Sequence, residues 1–190
     1  SEIANAYLYD EQYAGRFARE WQESVERDLN HPSIIMWVPI NESWGVPDVR
    51  DPRQLAHLRA MYHLTKSIDP TRFVIDNDGW EHSEATDLFA VHDYTAQGGG
   101  LRARWASVRP VAGAALPPNG RPYLIPGIQY NGTPLYLSEF GGIAYIPGGH
   151  QVPESSWGYS GIEKSPEAVY TRLQGQYEAI RDSAFLGVCY

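Results

Sequence analysis

A parallel α/β fold is predicted for this chain of 190 residues. Three observations carry that prediction. Helical stretches with an apolar stripe alternate with short apolar runs that read as strands. The run Ile34–Ile40 holds no polar residue, as expected of a strand covered on both faces. Two runs, Ile34–Ile40 and Leu135–Leu137, lead into a glutamate and then a loop, and parallel sheets place their chemistry at that rim.

In chain order, residues 6–29 predict a helix, because Tyr13, Phe17, Trp21, Val25 and Leu29 recur every fourth position. Asn30-His31-Pro32 ends it, since proline disfavours helix in the residue before it. The strand Ile34–Ile40 follows. Asp51-Pro52 starts a second helix as N-cap and first helical residue, with Leu55, Leu58, Met61, Leu64 and Ile68 on its buried face. Asp69-Pro70-Thr71-Arg72 turns into a strand over Phe73–Asp76, followed by the loop Asn77-Asp78-Gly79-Trp80. The segment 81–87 is placed as a short crossover helix. The strand Leu88–Val91 runs into His92-Asp93-Tyr94.

From Thr95 to Thr133 glycines and prolines break the pattern, leaving one short helix near Leu101–Val108 and otherwise ordered loop. The strand leading to Glu139 and a Gly/Pro/Tyr-rich loop, Gly141–Gly161, come next. Ser165-Pro166 caps a third clear helix with Val169, Leu173, Tyr177 and Ile180 on one face. Phe185–Tyr190 reads as a final strand. Alternation of this kind implies right-handed crossovers.

Length and apolar content predict one domain, residues 1–190, with a real core. Trp21 and Trp37 are read as core residues. The net charge of −8 comes with no basic run, which argues against nucleic-acid binding. No apolar run approaches the length of a membrane span. The single cysteine, Cys189, excludes an internal disulfide. The compartment is left open, with the cytoplasm slightly favoured. Ser1 in place of Met leads us to expect that a longer protein begins upstream.

Glu42 and Glu139 lie 97 residues apart, each at a strand end. Paired carboxylates cleave glycosidic bonds when one donates a proton and the other attacks or activates water. The acid needs an apolar or like-charged setting to keep its proton, and Trp37, Ile40 and Trp44 are expected to provide it for Glu42. Tyrosines and tryptophans in loops offer flat faces for sugar rings. Trp44 and Trp80 are candidate walls, and Trp157 is a candidate for the acceptor side. His92 reads equally as a substrate contact or a satisfied rim histidine. Asp76 and Asp78 bind hydroxyls or cap the turn, with capping preferred for Asp78. No His/Asp/Glu spacing indicates a metal, and no phosphate-binding or dinucleotide motif indicates a cofactor.

The stretch HPSIIMWVPINESWG resembles the acid/base signature of glycoside hydrolase family 2, which includes β-galactosidases, β-glucuronidases and β-mannosidases. Asn30-His31-Pro32-Ser33, Trp37 and Asn41-Glu42 match it position by position. PLYLSEFG resembles the family's nucleophile segment, and Asp69-Pro70-Thr71-Arg72 before a strand also fits. The resemblance implies a partial (β/α)8 TIM barrel, roughly strands four to eight, from a larger enzyme. It implies that Glu42 is the acid/base and Glu139 the nucleophile of a retaining mechanism. Asn41 would then bond the sugar 2-hydroxyl. Tyr94 resembles the tyrosine that hydrogen-bonds the nucleophile, although it also reads as a packed rim aromatic. The implied partners are a carbohydrate substrate, the remainder of the parent enzyme and, through raw sheet edges, a second copy. Two other readings stay open. One is a barrel glycosidase of the cellulase/mannanase group, in which Pro typically follows the acid/base where Ser43 stands here. The other is a non-catalytic carbohydrate-binding or assembly unit.

Overall fold

The computed structural model describes residues 8–112, 120–147 and 156–190. Helix α1 (Glu11–Asp28) starts later than the periodicity predicts, because Asp10 in extended backbone caps it by accepting from the Tyr13 amide. Residues 1–7 lie outside the described range. Strand β1 (Met36–Trp37) leads to the rim, and α2 (Pro52–Ile68) follows with Asp51 as N-cap and Pro52 in its first turn. Strand β2 (Phe73–Val74) is shorter than predicted. The segment 81–87 forms no helix; it is irregular and bridges the later loop through His82 and Leu124.

Strand β3 (Phe89–Asp93) is buried throughout. Helix α3 (Gly98–Trp105) begins three residues before the predicted start and is followed by α4 (Arg109–Ala112). Strand β4 (Leu135–Phe140) carries Glu139. Two two-residue strands pair in parallel, β5 (Ala144–Tyr145) inside the Gly/Pro/Tyr-rich region and β6 (Ile162–Glu163) just after it. Helix α5 (Pro166–Arg181) is capped by Ser165, and β7 (Phe185–Val188) closes the order.

All strand pairings are parallel: β1 with β2, and β3 with β4 with β7. Beyond its ladder, β1 continues towards the rim through Ile75 N to Trp37 O, Asp78 N to Ile40 O and Glu42 N to Asp78 O. The result is an open arc of a barrel wall with helices on its outer side.

The alternation of side chains sorts two layers. Outward, Trp37 and Val74 join Phe17, Trp21, Val25, Leu58 and Met61 beneath α1 and α2. Phe89, Val91, Leu135 and Leu137 join Leu101, Trp105, Ala179 and Ile180 beneath α3 and α5. Inward, Val38, Ile75, Leu88 and Ala90 form a third cluster. The indoles placed in the core are there, and their N–H groups are satisfied: Trp21 Nε1 donates to Thr65 Oγ1 at 2.7 Å and Trp37 Nε1 to Asp69 Oδ2 at 2.9 Å.

Two expectations of burial fail, for the run 34–40 and for Tyr177. The run 34–40 is not covered on both faces: Ile35 is 65% exposed, since no described strand lies beyond β1. Phe73, at the start of β2, is also exposed. On α5, Tyr177 is exposed while Gln176 is fully buried, its Nε2 donating to Thr95 O at 3.0 Å.

Helices α3 and α5 meet at two glycines. A Cβ on Gly98 would lie 2.1 Å from the Gly175 carbonyl oxygen, whereas a Cβ on Gly99 would meet nothing within 4 Å. Gly98→Ala should therefore destabilise the chain by about 1–3 kcal/mol through overpacking against backbone. Gly99→Ala should be neutral or stabilising by up to about 1 kcal/mol. Urea unfolding of both variants checks the pair.

Candidate active site

Glu42, His92 and Glu139 each come from the rim end of a parallel strand. On β3, residues 88 and 90 face inward, so His92 does too. Gly79 permits this: at φ +99°, a Cβ there would lie 2.9 Å from the His92 ring. Tyr94 follows on the same side and lines the inner cavity.

On β4 the alternation would turn Glu139 outward with Leu135 and Leu137. A bulge prevents that. Val91 pairs with Leu137 but His92 pairs with Glu139, so Ser138 is an extra residue and the parity resets. Glu139 and Ser138 line the inner cavity, and Phe140 returns to the outer core.

After β1, Glu42 and Ser43 adopt left-handed backbone, with φ of 53° and 59°. This conformation is unfavourable for residues other than glycine and is concentrated at functional sites.

These turns bring three groups together. The facing atoms of Glu42, His92 and Glu139 all lie within 4.8 Å of one another. His92 Nδ1 is 2.9 Å from Glu42 Oε1 and 3.5 Å from Glu139 Oε2. Its Nε2 is 3.4 Å from Asp78 Oδ1, without hydrogen-bond geometry. Tyr94 OH donates to Glu139 Oε2, and Ser138 Oγ donates to Asp78 Oδ1.

Burial alone would lower the His92 pKa, but Asp78, Glu42 and Glu139 outweigh it and push it up to about 10. The His92 ring thus holds its proton at neutral pH, facing Glu42, Glu139 and Asp78. Burial, then the bond to Glu139, raises Tyr94 above its ordinary value, so its hydroxyl stays a donor. The Glu42–His92–Glu139 set has the donor atoms to hold a metal ion, although a metal would have to displace the proton on His92. No sequence spacing announces this cluster, because its members come from three different strand ends.

The remaining residues singled out from the sequence are placed less uniformly. Asn41 flanks Glu42, with its Oδ1 buried and unpartnered. Trp80 meets the His92 ring at 5.5 Å and 69°, so its indole braces the imidazole. Trp157 is 70% exposed and lines the cavity beside Glu139. Trp44 is exposed and outside the cavity lining. The apolar setting expected around Glu42 is not formed by Trp37 and Ile40, which belong to the outer core; the group facing Glu42 is His92. Asp76 is fully buried and ties down the following loop, accepting from His82 Nδ1 and the Ser83 amide at 2.7 Å each. Asp78 does more than cap a turn, since it supplies a carboxylate behind His92.

Sequence reasoning preferred a capping role for Asp78; its position after β2, matching that of Glu42 after β1, was the signal for a place in the cluster. It missed one contributor. Tyr159 stacks on Tyr94 at 3.6 Å and 3°, from a loop with no periodic signal.

An inner cavity of about 780 Å³ reaches Glu139, Tyr94, Asp78 and Trp157 but stops short of Glu42, so the carboxylate pair stands at its rim. No helix among the described residues is long and apolar enough to cross a membrane.

The fold and the paired carboxylates at its rim define a parallel α/β-barrel domain of the glycosidase type. The family described as glycosyl hydrolases family 2, TIM barrel domain, matches residues 3–106, and the chain belongs to that family. A β-galactosidase of Alteromonas mediterranea is 40% identical over 81 residues, which is 43% of this chain and 7% of that protein. Among solved structures, a β-glucuronidase of Bacteroides uniformis superposes with a TM-score of 0.61 at 19% identity, covering 99% of this chain and 22% of the other. A β-galacturonidase of Eisenbergiella tayi, bound to galacturonate, gives 0.60 at 18% identity, covering 98% and 32%. These structural likenesses bear on the fold. The chain thus corresponds to less than a third of the length of these structural relatives and matches a far smaller share of the β-galactosidase.

The His92 cluster predicts a pH signature. A folded pKa raised from 6.5 to about 10 contributes stability that is fully present below 6.5 and lost as pH rises through 10. His92→Gln should therefore lower the unfolding free energy on the order of a few kcal/mol at pH 6, and much less at pH 10. Thermal or urea unfolding of both chains across that range measures the convergence.

Proposed function

We propose that this chain is the part of a retaining β-glycosidase barrel that carries both catalytic carboxylates. The observation that supports this best is the approach of Glu42 and Glu139 to within 4.8 Å. Retaining glycosidases hold their carboxyls about 5–5.5 Å apart, whereas inverting ones leave about 6.5–9.5 Å for a water.

In this reading Glu139 attacks the anomeric carbon and forms a glycosyl ester as the bond to the leaving oxygen breaks. A proton passes from His92 Nδ1 through Glu42 to that oxygen along their hydrogen bond. The Glu42 carboxylate then takes a proton from water, whose oxygen attacks the anomeric carbon and releases Glu139. Tyr94 orients the nucleophile through its hydrogen bond. His92 holds the two carboxylates in one plane of approach and moderates their repulsion. Asn41 offers its amide to the sugar 2-hydroxyl. Trp157, with Tyr159 beneath it, provides a face for the acceptor. Trp80 acts through His92. The family membership and the β-galactosidase relatives favour a glycoside substrate, with β-galactosides the first to try.

The open side of the arc leaves one flank of the sugar without walls, so the chain alone should turn over aryl β-glycosides weakly or not at all. The mechanism is tested in the complete polypeptide that carries this chain, using 2,4-dinitrophenyl 2-deoxy-2-fluoro-β-galactoside and its glucoside, mannoside and glucuronide counterparts. At least one should add a fluoroglycosyl group to Glu139, detected by peptide mass. Glu139→Gln should abolish the label. Labelling elsewhere, or by none of the four, would point instead to a binding or assembly unit.

A further inference from the structure

We infer that Glu81 is a positioning residue for Glu42, acting through Ser43. This rests on the reading of Glu42 as the acid/base.

The left-handed turn at Glu42 and Ser43 needs partners that hold it. Its backbone is tied at three points: Glu42 N to Asp78 O, Ser43 N to Asn77 Oδ1 and Trp44 N to Asn41 O, each 2.9 Å. The Ser43 side chain closes the arrangement. Its Oγ accepts from Asn77 Nδ2 at 2.9 Å and donates to Glu81 Oε2 at 2.5 Å. Ser43 is 2% exposed and Asn77 fully buried, so water offers no substitute.

Glu81 is itself held in place. It has left-handed backbone, at φ 51°. Its Oε2 also accepts from Arg121 Nη1 at 2.7 Å, and its side chain is 12% exposed. The flanking backbone is sewn to the loop that carries Arg121: Glu81 N to Pro122 O, His82 N to Tyr123 O and Ile125 N to His82 O. One carboxylate oxygen therefore gathers a hydroxyl and a guanidinium, a task for an anion. The long segment between β3 and β4 thereby acquires a function: through Arg121 and Glu81 it fixes the turn that aims Glu42.

A misaimed acid/base has a distinctive consequence. Proton donation matters for a poor leaving group and little for one that departs unaided. In the complete polypeptide, Glu81→Ala should lower kcat/KM for the phenyl glycoside of the preferred sugar by about tenfold or more. For the 2,4-dinitrophenyl glycoside, kcat/KM should change by less than about threefold. Azide, which attacks without a base, should restore turnover of the dinitrophenyl substrate. Glu81→Gln, which keeps an acceptor for Ser43, should recover part of the phenyl activity.

Glu42→Ala is the control. If it lacks this leaving-group dependence, the acid/base reading itself fails and the inference with it. If Glu42→Ala shows the dependence but Glu81→Ala slows both substrates equally, the positioning inference alone is overturned. Should Glu81→Ala not fold, Glu81→Gln and Ser43→Ala are judged by the same ratio. In this chain, hydrogen exchange of the Ser43 amide should also accelerate in Glu81→Ala, and unchanged protection there would overturn the inference.

Discussion

One extra residue in β4 decides where the Glu139 carboxylate points. Side chains alternate strictly along a strand, so Glu139 should share the outer face with Leu135 and Leu137. There it would be an ionised group inside an apolar cluster, at a large desolvation cost. The bulge at Ser138 sends it inward instead, opposite His92 on the neighbouring strand. Ser138 is not wasted, since its hydroxyl reaches Asp78 and links β4 to the end of β2.

Glu42 is aimed by a different irregularity with the same effect. Its left-handed backbone breaks the line of β1 and presents the carboxylate to His92. Both glutamates thus depend on departures from regular structure, each held by buried hydrogen bonds. The inward position of His92 follows from the parity of β3, with left-handed Gly79 leaving room for its ring. That regular strand supplies the fixed charge against which the two irregular ones are set. With Asp78 behind it, the imidazolium keeps like charges close without leaving any of them alone.

The parts of this architecture governed by local rules were legible in the sequence. Asp51-Pro52 and Ser165-Pro166 mark helix starts because capping is a contact between near neighbours. Both glutamates announced themselves as polar residues terminating apolar runs. What the sequence concealed depends on contacts between distant segments. Asp78 looked like turn chemistry until β4 was laid beside it. Tyr159 reaches the site by stacking on Tyr94, 65 residues earlier. Trp37 and Ile40 looked like neighbours of Glu42, yet they pack on the opposite side of the wall. The exposure of Ile35 was hidden for a related reason: an apolar run states that cover is wanted, not which segment supplies it.

Both glutamates, His92, Tyr94 and Asp78 stand on one contiguous span of wall, and nothing across the gap is needed to set their mutual geometry. Their relative placement is a property of this span of wall, so a surface set against the open side of the arc can vary while the Glu42–His92–Glu139 cluster keeps its geometry.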